Sequence, residues 1–210
     1  MPGFVNALVP LTLLEAVRSV DIPEGDDVEV EYVQEHRNKR LGLSETVIAQ
    51  IARYKEAMKR GQPIAVSEPA GIARLIARRA DANQIFVRAG TLLATRMYKM
   101  IPSSTRQIIH LLPGFVVRPL AFRQLRKAGA KYFAAEVRRV GASIVVAVRE
   151  PVTAGGTPKG SGCVYYESAV REMLRLLVHG GGMVDHVHCL DRGEDVCEWR
   201  AEWRAVKAAK

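Results

Sequence analysis

The chain has 210 residues, of which 48% are hydrophobic, and carries a formal net charge of +9. That length holds one large domain, or one domain with an extension, with enough apolar material for a core. No apolar run approaches the roughly 18 residues of a membrane span, and no helix-turn-helix, zinc-finger or RNA-binding signature appears with the flanks those folds require.

The opening, MPGFVNALVPLTLLEAV, lacks a basic n-region and is broken by Pro10, so it does not read as a signal peptide. Three cysteines cannot all pair within one chain, and without an export signal they are expected as reduced thiols or thiolates in a cytoplasm. Residues 1–41 read as an N-terminal extension. It contains a short amphipathic helix near 11–20, an edge-strand pattern in VEVEYV (28–33) and a polar loop in QEHRNKR.

The middle of the chain has helical periodicity. Ser44 is placed to cap a helix ending at Gly61, with Val47, Ile48, Ile51, Tyr54 and Met58 at core spacing. Ser67 and Pro69 open a second helix, with Ile72, Leu75 and Ile76 as its apolar stripe. A third spans about 81–100, where Ile85, Phe86, Ala89, Leu92, Leu93, Met97 and Met100 form one wide face. Gly90 lies on that face and weakens the helix, which points to close approach of another backbone or of a ligand. Shorter helices follow Ser103/Ser104 and Pro119.

The last third changes period. AKYFAAEVRRV and ASIVVAVRE read as two strands joined at Gly141, and PVTAGGTPKGSG as a loop. CVYYESAVREMLRLLVHGGG reads as a helix stopped by a glycine run, while MVDHVHCL and CEWRAEW form a final hairpin. The fold class expected is α+β, with N-terminal helices packed on a four-stranded antiparallel sheet and a helix crossing over one face.

Two features carry chemical information. Arg106 to Arg149 holds nine Lys or Arg against the single acid Glu136, a segment that reads as a solvated basic face or as a field attracting nucleic acid, anionic lipid or an acidic partner. The other is the spacing Cys163-x22-His186-x2-Cys189-x7-Cys197. Three sulfurs and an imidazole match tetrahedral zinc with every position filled by protein, which makes such a site structural; buried cysteines without a ligand, common in cores, are the other reading of the spacing. The sequence leaves the fourth ligand open. His186 and Cys189 are separated by an odd number, so a regular strand points them to opposite faces, and only a bulge unites them. Asp185 shares the face of Cys189, and His188 has the same parity problem as His186.

The segment GCVYYESAV…GGGMVDHVHCLDRGEDVCEWRAEW, with RRADANQIFVRAGTLLATRMY upstream, resembles the 4-vinyl-reductase-like small-molecule-binding domain. The resemblance covers roughly residues 40–204 and places a ligand-binding domain at 42–204 with a tail at 205–210. It implies the zinc set Cys163, His186, Cys189 and Cys197, with His186 standing where many relatives carry Glu. It also implies dimerisation through the helices, and kinship of fold with TRAPP subunits and haem nitric-oxide sensors. Haem itself is not expected, since Val170 occupies the Arg position of the Tyr-x-Ser-x-Arg motif begun at Tyr166. The implied function is accessory or regulatory binding of a hydrophobic small molecule, with Phe86, Gly90, Leu93, Met97, Tyr132, Phe133, Tyr165, Tyr166 and Trp199 as pocket wall. Stand-alone relatives suggest an alternative, reduction of the 4-vinyl group of a chlorophyll-precursor tetrapyrrole or assistance to that step. Neither HGGGMV nor TAGGTPKGSG has the context of a nucleotide-binding loop, so the balance favours binding over catalysis.

Overall fold

The computed structural model describes residues 3–22, 44–111, 114–154, 162–178 and 183–202. The expected strand at 28–33, the glycine run at 180–182, Trp203 and the tail lie outside them.

The described residues form seven α-helices and two antiparallel sheets. The helices are α1 (Leu8–Asp21), α2 (Glu45–Arg60), α3 (Ser67–Ala77), α4 (Ala82–Lys99), α5 (Ser103–Leu111), α6 (Gly114–Ala128) and α7 (Val164–Val178). The small sheet pairs β1 (Phe4–Asn6) with β2 (Pro63–Ala65). The larger contains β3 (Glu136–Val140), β4 (Ser143–Val148), β5 (Val184–His188) and β6 (Cys197–Glu202) in the order β3-β4-β6-β5. This is the expected α+β architecture: α7 follows β4, crosses the sheet and delivers β5 to the far edge.

Local signals explain much of this. The Ser44 side chain accepts a hydrogen bond from the Val47 N–H, and Gly61 closes α2 in the left-handed region at φ 66°. Along β6, Cys197, Trp199 and Ala201 are all fully buried on the face toward the helices. On the opposite face Glu198 pairs with Arg138 at 2.5 Å.

Several expectations need correction. α1 begins at Leu8 and so contains Pro10 in its first turn, where a missing N–H costs nothing. Its Leu8, Leu11, Leu13, Ala16 and Val17 are completely buried in the core. Ser67 is the first helical residue of α3 rather than its cap, and Val66 stands at the N-cap. α6 starts ahead of Pro119 and includes it. The strand expected from Ala130 begins only at Glu136, because Gly129–Phe133 forms a π-helical turn that ends at Ala134 in the left-handed region. A strand would send neighbouring Tyr132 and Phe133 to opposite faces; the turn buries both. Ile48, Leu75 and Met100, expected in the core, sit at the margins of their apolar faces and are substantially exposed.

Candidate metal centre

Three elements converge on one point. Cys163 immediately precedes the first turn of α7. His186 lies on β5, Cys189 just after β5, and Cys197 opens β6. The strand register supplies the device that the spacing required. His186 stands opposite Trp199 and His188 opposite Glu198, so two steps on β5 meet one step on β6 and Val187 is the extra residue of a β-bulge. The bulge resets the alternation and turns His186 and Cys189 inward together.

A ring nitrogen of His186 and the Sγ atoms of Cys163, Cys189 and Cys197 all lie within 4.8 Å of one another. The Cys163 sulfur is 3.8 Å from that of Cys189 and 3.9 Å from that of Cys197. All three cysteines are buried. His186 Nε2 is buried without a hydrogen-bond partner, the condition of a lone pair or N–H reserved for something else. His188 is excluded from this position because its Nδ1 is engaged by Glu194 at 2.7 Å and its side chain is half exposed. Asp185 is exposed and lies opposite Arg200 in the register.

The surrounding backbone wraps the cysteines. The Leu190 N–H points to Cys197 Sγ at 3.4 Å. Arg192 N–H donates to the Cys189 carbonyl at 2.9 Å, and Gly193 turns the chain with φ 86°. A Glu194 carboxylate oxygen accepts the Cys189 N–H while the other engages His188, and these bonds hold its pKa below the usual carboxylate range. His186 stacks on Trp199 with ring centroids 4.9 Å apart, and Trp199 stacks on Tyr166 at 5.1 Å. The ring column fixes the imidazole plane.

The hydrogen bond from Cys163 draws Cys197 down to about 5 against the opposing effect of burial, helped by His186 and the Leu190 N–H. The same bond, with burial, pushes Cys163 far up. Cys163 and Cys197 thus share one proton unequally. A coordinated cation favours the thiolate form of the sulfurs that bind it. These four residues are placed to hold a metal ion.

The nine residues assigned to a pocket wall are found in the core. Phe86, Leu93, Met97, Tyr165, Tyr166 and Trp199 are almost wholly buried, and Phe133, Tyr165 and Trp199 all pack on the Tyr166 ring. Burial holds the Tyr165 and Tyr166 phenols well above the usual tyrosine range, so both are neutral. Gly90 faces the backbone of α7: a Cβ there would lie 2.2 Å from the Tyr165 carbonyl oxygen and 2.1 Å from Ser168 Oγ. The close approach that it permits is that of a helix, not of a ligand. Tyr132 borders a cleft of 210 Å³ shared with β1 and β2. In the basic segment Arg118, Arg123, Arg126, Lys127, Lys131 and Arg139 are exposed, and none forms an ion pair with an acid among the described residues. No described helix is long and apolar enough to cross a membrane.

Fold and site together define an α+β protein whose last hairpin and crossover helix meet at a Cys3His cluster. Comparison with family models, with curated proteins and with solved structures finds no match to this chain.

Proposed function

We propose that the protein is a small-molecule-binding module of accessory or regulatory type, in which a structural zinc ion at Cys163, His186, Cys189 and Cys197 clamps the final hairpin to the crossover helix. One observation carries the zinc reading. Tetrahedral zinc with bonds of about 2.3 Å to sulfur sets its sulfurs about 3.8 Å apart, and the two spacings from Cys163 are 3.8 and 3.9 Å. Burial of all three cysteines and the unpartnered His186 Nε2 support it further. Three thiolates and one imidazole fill the preferred coordination of zinc, so the ion is structural rather than a generator of reactive water.

The binding role rests on the sequence resemblance, which also brings a homodimer as the expected assembly. Native mass spectrometry of the purified protein tests all three claims at once. One zinc per chain, a dimer mass and uptake of an apolar compound are the expected results. A chain that stays metal-free in excess zinc contradicts the centre, and one that takes up no apolar compound contradicts the binding role.

A second reading concerns the unpaired cations of α6 and the β3 end, which suit docking to an acidic protein partner. Reversing the charge of Arg123, Arg126 and Lys127 is expected to abolish such an interaction without loss of zinc. Undiminished partner binding in low salt contradicts this reading.

A further inference from the structure

α1, α2 and α3 enclose a groove of 360 Å³, on which Leu14, Val17, Val47, Ile72, Leu75 and Ile76 converge. It shares no residue with the metal cluster or with the nine core residues discussed above. Its polar lining is Thr46, Gln50, Arg53, Tyr54 and Glu68. At one end the Tyr54 hydroxyl donates to Glu68 at 3.0 Å, and Glu68 is also paired with Arg53. On the α2 wall stands Gln50, whose Oε1 is buried without a hydrogen-bond partner. A buried amide oxygen left unsatisfied lowers stability. The terminal torsion of a glutamine is soft, so a donor entering the groove can turn the amide toward itself. Leu75, half exposed on the rim, is an apolar side chain that closure over a guest would cover.

We propose that the groove between α1, α2 and α3 binds a small apolar molecule that donates one hydrogen bond to Gln50. This rests on the small-molecule reading above and gives it a place away from the ring-filled core. The volume lies near the lower end of the range for small-ligand sites, and hydrophobic walls with a small number of placed polar groups are the usual composition of such sites.

Indole and 1-methylindole are suitable probes, since they differ in the N–H donor and little else. Amide chemical shifts of the full chain are followed during titration with each. Indole is expected to move the resonances of Val17, Val47, Gln50 and Leu75, and 1-methylindole to bind roughly fivefold more weakly, the worth of one net hydrogen bond. Gln50→Leu should equalise the two probes and raise the melting temperature, because it removes the unsatisfied oxygen. Leu75→Glu, at an exposed position that folding does not depend on, should weaken both. Shifts confined to Trp199 and Tyr166 would overturn the groove while leaving small-molecule binding intact. No shifts anywhere would overturn both. Groove shifts that disappear as a dimer forms would assign the surface to a second copy of the chain and overturn the proposal as well.

Discussion

Gly90 shows what a single hydrogen atom in place of a methyl group decides. Because a Cβ there would lie 2.2 Å from a backbone oxygen, Gly90→Ala must push α4 and α7 apart. The cost expected is about 1–3 kcal/mol, despite the better helix propensity of alanine. Urea unfolding checks it, and an unchanged or raised midpoint would contradict the tight crossing. Glu194 acts differently, bracing the turn that carries Cys189. Its folded pKa is lowered, so its contribution is present above the ordinary value of about 4.5 and is lost as pH falls through the lower folded value. Glu194→Gln should therefore flatten the acid limb of the stability profile. It should also weaken zinc binding roughly tenfold, the scale of a group that orients a metal ligand. A metal-affinity titration at neutral pH and melting curves at acid pH read the two effects separately.

At the scale of elements, the β5 bulge is the feature on which the centre depends. Deleting Val187 restores regular alternation, so His186 and Cys189 can no longer face inward together. The expected outcome is loss of stoichiometric zinc with the sheet otherwise retained, seen by metal analysis beside circular dichroism. Full zinc retention would show that the bulge is incidental. A second element-scale device joins the end of α1 to the α3–α4 turn. Asp21, 2% exposed, accepts bonds from Arg79 of 2.5 and 3.0 Å, and Arg79 also grips Asp81. The paired carboxylates raise the Arg79 pKa still further above its usual value. Asp21→Ala leaves the guanidinium with Asp81 and partly solvated, so the expected loss is on the order of 2–3 kcal/mol, below that of a fully buried pair. A denaturant midpoint equal to that of the parent would contradict this account.

Across the whole molecule, what could be read from sequence was what local patterning determines. Ser44 and Gly61 announced both ends of α2, and alternation announced Cys197, Trp199 and Ala201 on one face of β6. The four clustered residues were legible as a set by spacing, but not by geometry: the choice among His186, Asp185 and His188 turned on a bulge that no residue type advertises. The π-turn at Gly129–Phe133 was hidden because Tyr132 and Phe133 have strong strand propensity, and tertiary burial overrode it. The short pairing of β1 with β2 and the Asp21–Arg79 clasp join residues distant in sequence, so only tertiary contact reveals them. The aromatic and methionine stripe was legible as buried, and Phe133, Tyr165 and Trp199 pack on the Tyr166 ring, but periodicity reports burial without saying what is buried against what. If zinc holds the hairpin to α7, its removal by a chelator should loosen these two elements first. Hydrogen exchange is expected to accelerate in β5, β6 and the first turn of α7 while α1 and α4 stay protected. Uniform acceleration would mean that the ion supports the entire fold instead.

X-ray absorption at the zinc edge of the zinc-loaded protein reads the identity and closure of the Cys3His centre. Three sulfurs at about 2.3 Å and one nitrogen at about 2.0 Å are expected, with the nitrogen shell lost in His186→Ala. A shell containing oxygen, fewer than three sulfurs, or an unchanged spectrum in that variant would contradict that coordination.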